Sequence, residues 1–288
     1  MRDFRESPGR GLAPRQQFFD ATVPIGTAGD NPTFFGSGFL VANVQSRSPY
    51  VDVDASADVF LVTASHVVAQ PLFAGEVLCM RVPRYNQEAA VVDLPPFGNW
   101  VRSDTGADVM VVRMPNLRHE YRDGGWGFPV IAADQFFVDP WCGSQFNLGD
   151  TVRAVGLWYG TAGRTQMIMR SGTMAIAPLD LFRFPGGETR VYLADCTVTR
   201  GMSGGPVYMT HGEGWAENAL IGLTHGFWPL PIEELQHGPR GDETNEDRAR
   251  RWLLSQVEHL NTQLTVVVPV HEIAETLIRA NWLTRVRI

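Results

Sequence analysis

A serine lies between glycines in the stretch Gly201-Met202-Ser203-Gly204-Gly205-Pro206-Val207, directly before the β-prone residues Tyr208 and Met209. Glycines on either side of a serine allow the backbone to turn tightly and bring its N–H groups close to the atom that the hydroxyl attacks. A serine hydroxyl becomes a nucleophile only when a base takes its proton. The stretch therefore predicts a nucleophile if the rest of the chain supplies a base and an acid that orients it.

Two other segments supply a base and an acid, each beside an apolar run. The apolar run Val59-Phe60-Leu61-Val62 continues through small residues to His66, which is typical of a buried strand that ends in a tight turn. Asp108 directly precedes the apolar run Val109-Met110-Val111-Val112. We interpret the earlier Asp104 as a loop or capping carboxylate, because it does not adjoin the apolar run.

His66, Asp108 and Ser203 are the residue types that acyl transfer requires. The imidazole takes the serine proton and later donates it to the leaving group, while the carboxylate fixes the tautomer of the ring and stabilises its charged form. The backbone N–H groups of Gly201 and Ser203 are candidate donors to the oxyanion.

Composition indicates a globular chain with ample core. Of the 288 residues, 44% are apolar and 19% are charged, which excludes a disordered class. The 29 glycines and 19 prolines are scattered, as expected for many short strands joined by turns. The net charge of −7 argues against a nucleic-acid surface, so we expect no nucleic-acid partner.

The cysteines and the apolar runs predict the compartment. Cys79, Cys142 and Cys196 are odd in number and lack close-pair spacing, which suits a reduced compartment and offers no zinc framework. We therefore expect no metal site and no cofactor. No apolar run approaches the ~18 residues of a membrane span, and the N-terminus lacks the apolar core of a secretory signal. These features predict a cytoplasmic protein without membrane contact.

Short β-type runs separated by turn signals predict an all-β protein built as a sandwich or barrel. The predicted strands are Phe18–Ile25, Phe34–Val44, Val59–Val62, Val77–Val82, Ala89–Leu94, Val109–Val112, Asp150–Gly156, Thr165–Ile176, Arg190–Ala194, Gly205–Met209, Leu220–Thr224 and Leu264–Val268. The chain divides into an N-terminal extension (1–17), a first half (18–112), a connector (113–147) and a second half (148–288). The second half contains a predicted helical insertion (227–262) and a C-terminal helix (270–284).

Four segments resemble the marker segments of trypsin-like (chymotrypsin-fold) serine proteases, in the chain order of that family. They are Gly36-Ser37-Gly38-Phe39, Thr63-Ala64-Ser65-His66, Ala107-Asp108-Val109 and Gly201-Met202-Ser203-Gly204-Gly205-Pro206. The resemblance implies that the two halves are antiparallel six-stranded β-barrels with the active site in the cleft between them. It also implies His66 as general base, Asp108 as orienting acid and Ser203 as the residue that forms the acyl-enzyme.

Within this family the chain is more similar to the intracellular and HtrA-type bacterial branch than to digestive trypsins. Animal zymogens carry an aspartate directly before the nucleophile, where this chain has Met202. No PDZ-like segment follows the second half, so the resemblance does not imply HtrA-style regulation.

The same resemblance assigns five residues to the primary substrate pocket: Thr197, Val198, Thr224, His225 and Gly226. No carboxylate falls at the expected base of this pocket, which argues against cleavage after Arg or Lys. Threonine and valine favour a small or medium apolar side chain. His225 keeps an acidic or glutamine preference open, although it stands one residue later than the pocket histidine of relatives. Gly226 is expected to present the edge to which substrate adds as a strand.

The leading interpretation is a bacterial serine endopeptidase that cleaves protein or peptide substrates. We expect its control to come from the insertion, the N-terminal extension or a regulatory protein partner. The main alternative is a protease-fold module that binds peptides without turnover. A third interpretation is a hydrolase that uses the same triad on esters.

Overall fold

Strands dominate the part of the chain that the computed structural model describes. It comprises residues 14–42, 50–51, 58–82, 89–115, 117, 128–136, 148–159, 165–176, 181–184, 187–210, 218–227 and 264–281. The α-helices that lie wholly within these residues are α1 (Pro14–Asp20), α2 (Ser65–Phe73) and α3 (Val270–Arg279). The predicted all-β class is confirmed.

The strands of these residues are, in chain order, β1 (Thr22–Thr27), β2 (Thr33–Ala42), β3 (Tyr50–Val51), β4 (Val59–Thr63), β5 (Leu78–Val82), β6 (Ala90–Asp93), β7 (Trp100–Arg102), β8 (Met110–Arg113), β9 (Phe128–Pro129), β10 (Ile131–Ala132), β11 (Thr151–Tyr159), β12 (Thr165–Ile176), β13 (Leu181–Phe184), β14 (Gly187–Arg190), β15 (Tyr192–Asp195), β16 (Pro206–Thr210), β17 (Asn218–Phe227) and β18 (Leu264–Pro269). β3 pairs with β9 and β13 pairs with β14, each as a separate two-stranded ladder.

The first half forms an eight-stranded sheet in the order β6-β5-β1-β2-β4-β8-β7, with β10 paired to β2. All pairs are antiparallel except that of β10 with β2. The resemblance implied six strands here. The sheet is larger by β7, which was not predicted and pairs with β8, and by β10, which lies in the segment expected to be only a connector and pairs with β2.

The second half forms a closed barrel in the order β11-β12-β15-β18-β17-β16, as the resemblance implied. Every neighbouring pair in the barrel is antiparallel. Closure satisfies the backbone N–H and C=O groups that an open sheet leaves at its edges. The barrel therefore provides a rigid frame for the loop that carries Ser203, which joins β15 to β16.

Helix α1 links the two halves through buried contacts. The ring of Phe18 stacks on that of Tyr208 with centroids 4.3 Å apart. The side-chain amide of Gln17 donates to the carbonyl of Val130 at 2.6 Å and to Oε1 of Gln135 at 2.9 Å. The sequence analysis assigned residues 1–17 to an extension and predicted a strand from Phe18. The structure has a helix at that boundary, and the strand begins at Thr22.

Helix α3 is tied to both halves by a buried carboxylate. Glu272 accepts hydrogen bonds from the hydroxyl of Thr105 at 2.6 Å and from that of Thr189 at 2.6 Å. Thr105 lies between β7 and β8, whereas Thr189 lies in β14. The predicted C-terminal helix (270–284) is observed over Val270–Arg279, and its predicted continuation beyond residue 281 lies outside the described residues. The predicted insertion (227–262) also lies outside them, apart from Phe227 at the end of β17.

No helix among the described residues is both long enough and apolar enough to cross a membrane.

Cys79 and Cys196 are buried free thiols, and burial raises the pKa of each to about 11. Because the thiolate is the reactive form of cysteine, we expect neither to react with Ellman's reagent at pH 8 in the native protein. Both are expected to react after unfolding. The measurement is best made on Cys142→Ser, since Cys142 lies outside the described residues. Rapid reaction of this variant under native conditions would contradict the burial of the two thiols.

Candidate active site

His66 lies in the first turn of α2, directly after the buried strand β4. The strand ends at Thr63, Ala64 has an extended backbone, and the helix begins at Ser65. The sequence analysis predicted a tight turn here, so the helix is a correction. Its sequence signal is the spacing of four between Val68 and Leu72, both of which are buried against the core.

Asp108 lies just before β8, and its carboxylate contacts the N-terminus of α2. Its Oδ1 accepts the backbone N–H of His66 at 2.9 Å, and its backbone carbonyl accepts the N–H of Ser65 at 3.3 Å. The first N–H groups of a helix have no partner within the helix, and its N-terminus carries a partial positive charge. The Asp108 carboxylate provides an acceptor for one of these N–H groups, and its negative charge lies beside the positive end of the helix. Its second oxygen, Oδ2, lies 2.6 Å from Nδ1 of His66. The predicted partners His66 and Asp108 are therefore brought together.

A second histidine contacts the same carboxylate oxygen. Nδ1 of His225 lies 2.5 Å from Oδ2 of Asp108, and the His225 and His66 rings meet edge to face with centroids 5.0 Å apart. The pairing of β17 with β18 shifts register between Thr224 and Gly226, so His225 is the extra residue of a β-bulge. Bulges re-aim side chains. The sequence analysis assigned His225 to the substrate pocket and did not predict this contact.

The surroundings of Asp108 favour its charged form. The side chain is only 5% exposed, and burial raises the pKa of this carboxyl. The hydrogen bonds from His225 and His66 outweigh burial and hold the pKa well below the usual range of an aspartate. The charged carboxylate therefore contributes stability above the pKa it has in the unfolded chain. This stability is lost as the pH falls through the folded-state pKa.

The loop that carries Ser203 is held between β2 and β17. The backbone N–H of Ser37 donates to the carbonyl of Ser203 at 2.9 Å, and the Ser37 hydroxyl donates to the carbonyl of Gly201 at 2.6 Å. On the other side, the N–H of Gly204 donates to the carbonyl of Thr224 at 2.7 Å. Gly201 and Gly204 have φ of 91° and 84°, which glycine adopts without strain. The loop conformation thus depends on contacts with both halves.

The hydroxyl of Ser203 donates to the backbone carbonyl of His225 at 3.0 Å. Among the described residues this carbonyl is its hydrogen-bond partner, and the ring of His66 is not. The backbone N–H groups of Gly201 and Ser203 donate to no other described residue. Within the described part of the chain, both N–H groups thus remain available to donate to a ligand.

Ser203 lies where two clefts meet. One cleft, of about 240 Å³, is lined by Phe35, His66, Val67, Gln70, Pro71 and Ser203. The other, of about 630 Å³, is lined by Phe35, Trp158, Thr199, Arg200, Gly201 and Ser203. Phe35 and Ser203 belong to both, so the two form one groove with the serine in it. His66 and Ser203 share the smaller cleft.

The residues assigned to the substrate pocket line neither of these clefts. Val198 and Thr224 are buried, Thr197 is exposed, and Gly226 is half-buried on β17. The ring of His225 lies against Asp108. The pocket assignment of these residues stays a prediction. Sequence reasoning did not single out Phe35, Trp158 or Arg200, although Arg200 directly precedes Gly201.

A family model of the trypsin-like peptidase domain matches residues 36–216 of this chain. The chain belongs to the trypsin-like peptidase family. The match includes His66, Asp108 and Ser203, together with the four segments that carried the resemblance. Among curated proteins, none matches this trypsin-like peptidase significantly.

Two solved structures share the fold of this trypsin-like peptidase. One is the apo form of the MamO protease domain from Magnetospirillum magneticum, with 14% identity, a TM-score of 0.54, and coverage of 91% of this chain and 97% of that chain. The other is an inactive form of the Rv3671c protease of M. tuberculosis H37Rv, with 16% identity, a TM-score of 0.50, and coverage of 93% and 92%. At these identities the likeness concerns the fold alone.

Gly204→Ala tests the packing of the serine loop. An alanine Cβ at this position would overlap the carbonyl oxygen of Ser37 and the hydroxyl of Thr63. The positive φ of residue 204 would add backbone strain. Left-handed strain costs about 1–2 kcal/mol and overpacking about 1–3 kcal/mol. We therefore expect the free energy of unfolding in urea to fall by about 3 kcal/mol.

Gly75→Ala is the matched control. Gly75 has a φ of 76°, but no described atom lies within 4 Å of where a Cβ would be. It should lose only the strain term of about 1–2 kcal/mol. Equal losses in the two variants would contradict the close approach of Ser37 and Gly204.

Proposed function

We propose that this protein is a serine endopeptidase in which Ser203 is the nucleophile, His66 the general base and Asp108 the orienting acid. The observation that carries the proposal is the contact between Nδ1 of His66 and Oδ2 of Asp108, with Ser203 in the same cleft as His66. The family match supports a peptidase and therefore a peptide or protein substrate. The catalytic roles of the individual residues are our inference from geometry and chemistry.

Asp108 would prepare His66 for proton transfer in two ways. Its Oδ1 accepts the backbone N–H of His66 in the first turn of α2, which fixes the backbone position from which the His66 side chain extends. Its Oδ2 selects the tautomer with the proton on Nδ1, so that Nε2 has a free lone pair. Nε2 would then take the proton of Ser203 as the hydroxyl oxygen attacks the scissile carbonyl.

The attack requires the Ser203 hydroxyl to leave the carbonyl of His225. A rotation about χ1 of the serine would have to exchange that acceptor for Nε2 of His66, which lines the same cleft as Ser203. The N–H groups of Gly201 and Ser203 would bind the oxygen of the tetrahedral intermediate. His66 would then give its proton to the leaving amine, and water would hydrolyse the acyl-enzyme in the reverse sequence.

The substrate chain would pass through the groove on either side of Ser203. Thr197, Val198, Thr224 and Gly226 are proposed to contact the residue before the scissile bond, and the edge of β17 to pair with the substrate backbone. The cleft with Phe35, Trp158 and Arg200 lies beside the proposed oxyanion donor Gly201. The bacterial origin, the cytoplasmic location, the HtrA-type affinity and the regulatory partner stay predictions of the sequence.

One observation favours the second candidate, a peptide-binding module without turnover. The Ser203 hydroxyl is bound to a carbonyl, and the ring of His225 shares the carboxylate that His66 needs. A domain that held this arrangement permanently would present a groove without an activated serine. Covalent labelling separates the two candidates.

A fluorophosphonate probe should label the wild-type protein at Ser203, and Ser203→Ala should not be labelled. The physical reason is that the probe reacts only with a serine whose proton is taken by a base. Labelling is read by intact-protein mass spectrometry and located by peptide mapping. Ser171→Ala, an exposed serine on β12, is the matched control and should label as the wild type does. An unlabelled wild-type protein would favour the binding module.

Asp108→Asn should lower kcat for a peptide substrate by about 10⁴-fold with little change in KM, because asparagine cannot hold the required tautomer of His66. Asp104→Asn is the control, since Asp104 is exposed and lies 3.3 Å from Arg279 instead. Its kcat should match that of the wild type. A comparable loss in both variants would remove Asp108 from the proposed mechanism.

A further inference from the structure

The three ligand-type side chains at the head of α2 and on β17 converge on one point. His66, Asp108 and His225 offer one ligand atom each, and these atoms all lie within 4.8 Å of one another. The Nδ1 atoms of the two histidines lie 2.6 and 2.5 Å from Oδ2 of Asp108. We propose that they form a binding site for a divalent transition-metal ion of the Zn²⁺ class, and that the bound ion inhibits the peptidase. The binding stands independently of the proposed function, whereas the inhibition rests on it.

The ligand geometry is close to what such an ion requires. Both imidazole nitrogens already lie 2.5–2.6 Å from Oδ2 of Asp108. Tetrahedral Zn²⁺ takes histidine nitrogen and carboxylate oxygen at about 2.0–2.2 Å, which places neighbouring ligand atoms about 3.3–3.6 Å apart. The two rings would therefore withdraw from Oδ2 by about 1 Å each and give up their Nδ1 protons for an ion to lie among the three atoms. The three ligand residues are far apart in the sequence, and the β-bulge at His225 brings the ring of this residue to Asp108.

The ligand set and its exposure suit a site with an open position. Two histidines and one carboxylate form a three-ligand set, which leaves a fourth position for water. The side chain of His66 is 42% exposed and that of His225 is 23% exposed, so an ion can enter from solvent. The buried carboxylate carries the negative charge that offsets part of the charge of the ion.

Asp108 is also oriented from behind, as ligands of metal ions commonly are. Its Oδ1 accepts the backbone N–H of His66, which leaves Oδ2 directed toward the two rings. Hydrogen bonds of this kind hold a ligand in place and contribute about 10- to 100-fold to metal affinity.

Metal binding at these atoms would prevent catalysis for a specific chemical reason. A ligated Nδ1 offers its lone pair to the ion, so the proton of a neutral imidazole must reside on Nε2. His66 in this tautomer cannot accept the proton of Ser203. The ion would also occupy the carboxylate that the triad requires. Inhibition should therefore be complete and reversible by a chelator.

The sequence analysis expected no metal site because the cysteines lack zinc-type spacing. That criterion applies only to cysteine ligands that lie close together in the sequence. His66 and His225 lie 42 and 117 positions from Asp108 in the sequence, so only the fold brings the three residues together.

The decisive measurement uses Ser203→Ala, which cannot digest itself and keeps all three ligands. Titration with Zn²⁺ by isothermal calorimetry should give one site per chain. Adding His225→Asn should weaken binding by at least about 10- to 100-fold, since a ligand contributes no less than an orienting hydrogen bond. His271→Asn is the matched control: this histidine is also 23% exposed and lies 3.7 Å from the carboxylate of Glu272, and its loss should leave the affinity unchanged.

A second readout does not depend on any variant of the ligands. Histidine-selective ¹⁵N NMR of the Ser203→Ala protein should show, for two histidines on saturation with Zn²⁺, shifts of both ring nitrogens that correspond to a metal-bound, unprotonated Nδ1 and a protonated Nε2. Absence of these shifts, or equal weakening by His225→Asn and His271→Asn, would overturn the site.

The activity arm separates this inference from the proposed function. For a labelled and active wild-type enzyme, Zn²⁺ should abolish fluorophosphonate labelling and EDTA should restore it. For His225→Asn, the Zn²⁺ concentration that halves labelling, measured against its own metal-free level, should be at least about 10- to 100-fold higher than for the wild type. Binding without any labelling in metal-free buffer would keep the site and reject the peptidase. Labelling that Zn²⁺ leaves unchanged would reject the inhibition.

Discussion

The carboxylate of Asp108 is buried at 5% exposure, and a buried charge is stable only when donors surround it. Three groups on two elements supply those donors. The N-terminus of α2 provides the backbone N–H of His66, the same helix turn provides the His66 ring, and the bulge of β17 provides the ring of His225. The positions of β4, β8 and β17 relative to one another are therefore coupled to the ionisation of a single side chain.

The second constraint is the docking of the two halves on each other. His66 and Asp108 belong to the first half of the chain, whereas Ser203 belongs to a loop of the barrel. Ser37 joins them, because its hydroxyl accepts the N–H of Leu157 and donates to Gly201, while its own N–H holds the carbonyl of Ser203. The close approach of Gly204 to this strand leaves no room for a side chain. Helix α1 and the Glu272 network add further contacts between the halves, away from the groove.

On the function and the metal site proposed above, the arrangement at Asp108 would give the site two chemically different uses. With Nδ1 of His66 protonated toward the carboxylate, the ring could serve as a base for Ser203. With the Nδ1 lone pairs of both histidines directed at an ion, the same three residues would become ligands. The tautomer of His66 would thus separate catalysis from inhibition.

The local pattern of apolar residues and glycines in the sequence was enough to predict most strands and the candidate triad. The strand predicted over Thr165–Ile176 has those bounds in the structure, and the apolar runs before His66 and after Asp108 form β4 and β8. Alternation, glycine placement and the four marker segments are local properties, so the all-β class, the family and the candidate triad could be predicted. The tertiary structure alone decided the helix at Pro14–Asp20, the pairing of β10 with β2 and the contact of His225 with Asp108. Each of these depends on contacts between residues that are far apart in the sequence, and the contact of His225 also depends on a one-residue bulge. Because a bulge reverses the direction of a side chain without changing the apolar pattern, the sequence could name His225 but could not direct its ring.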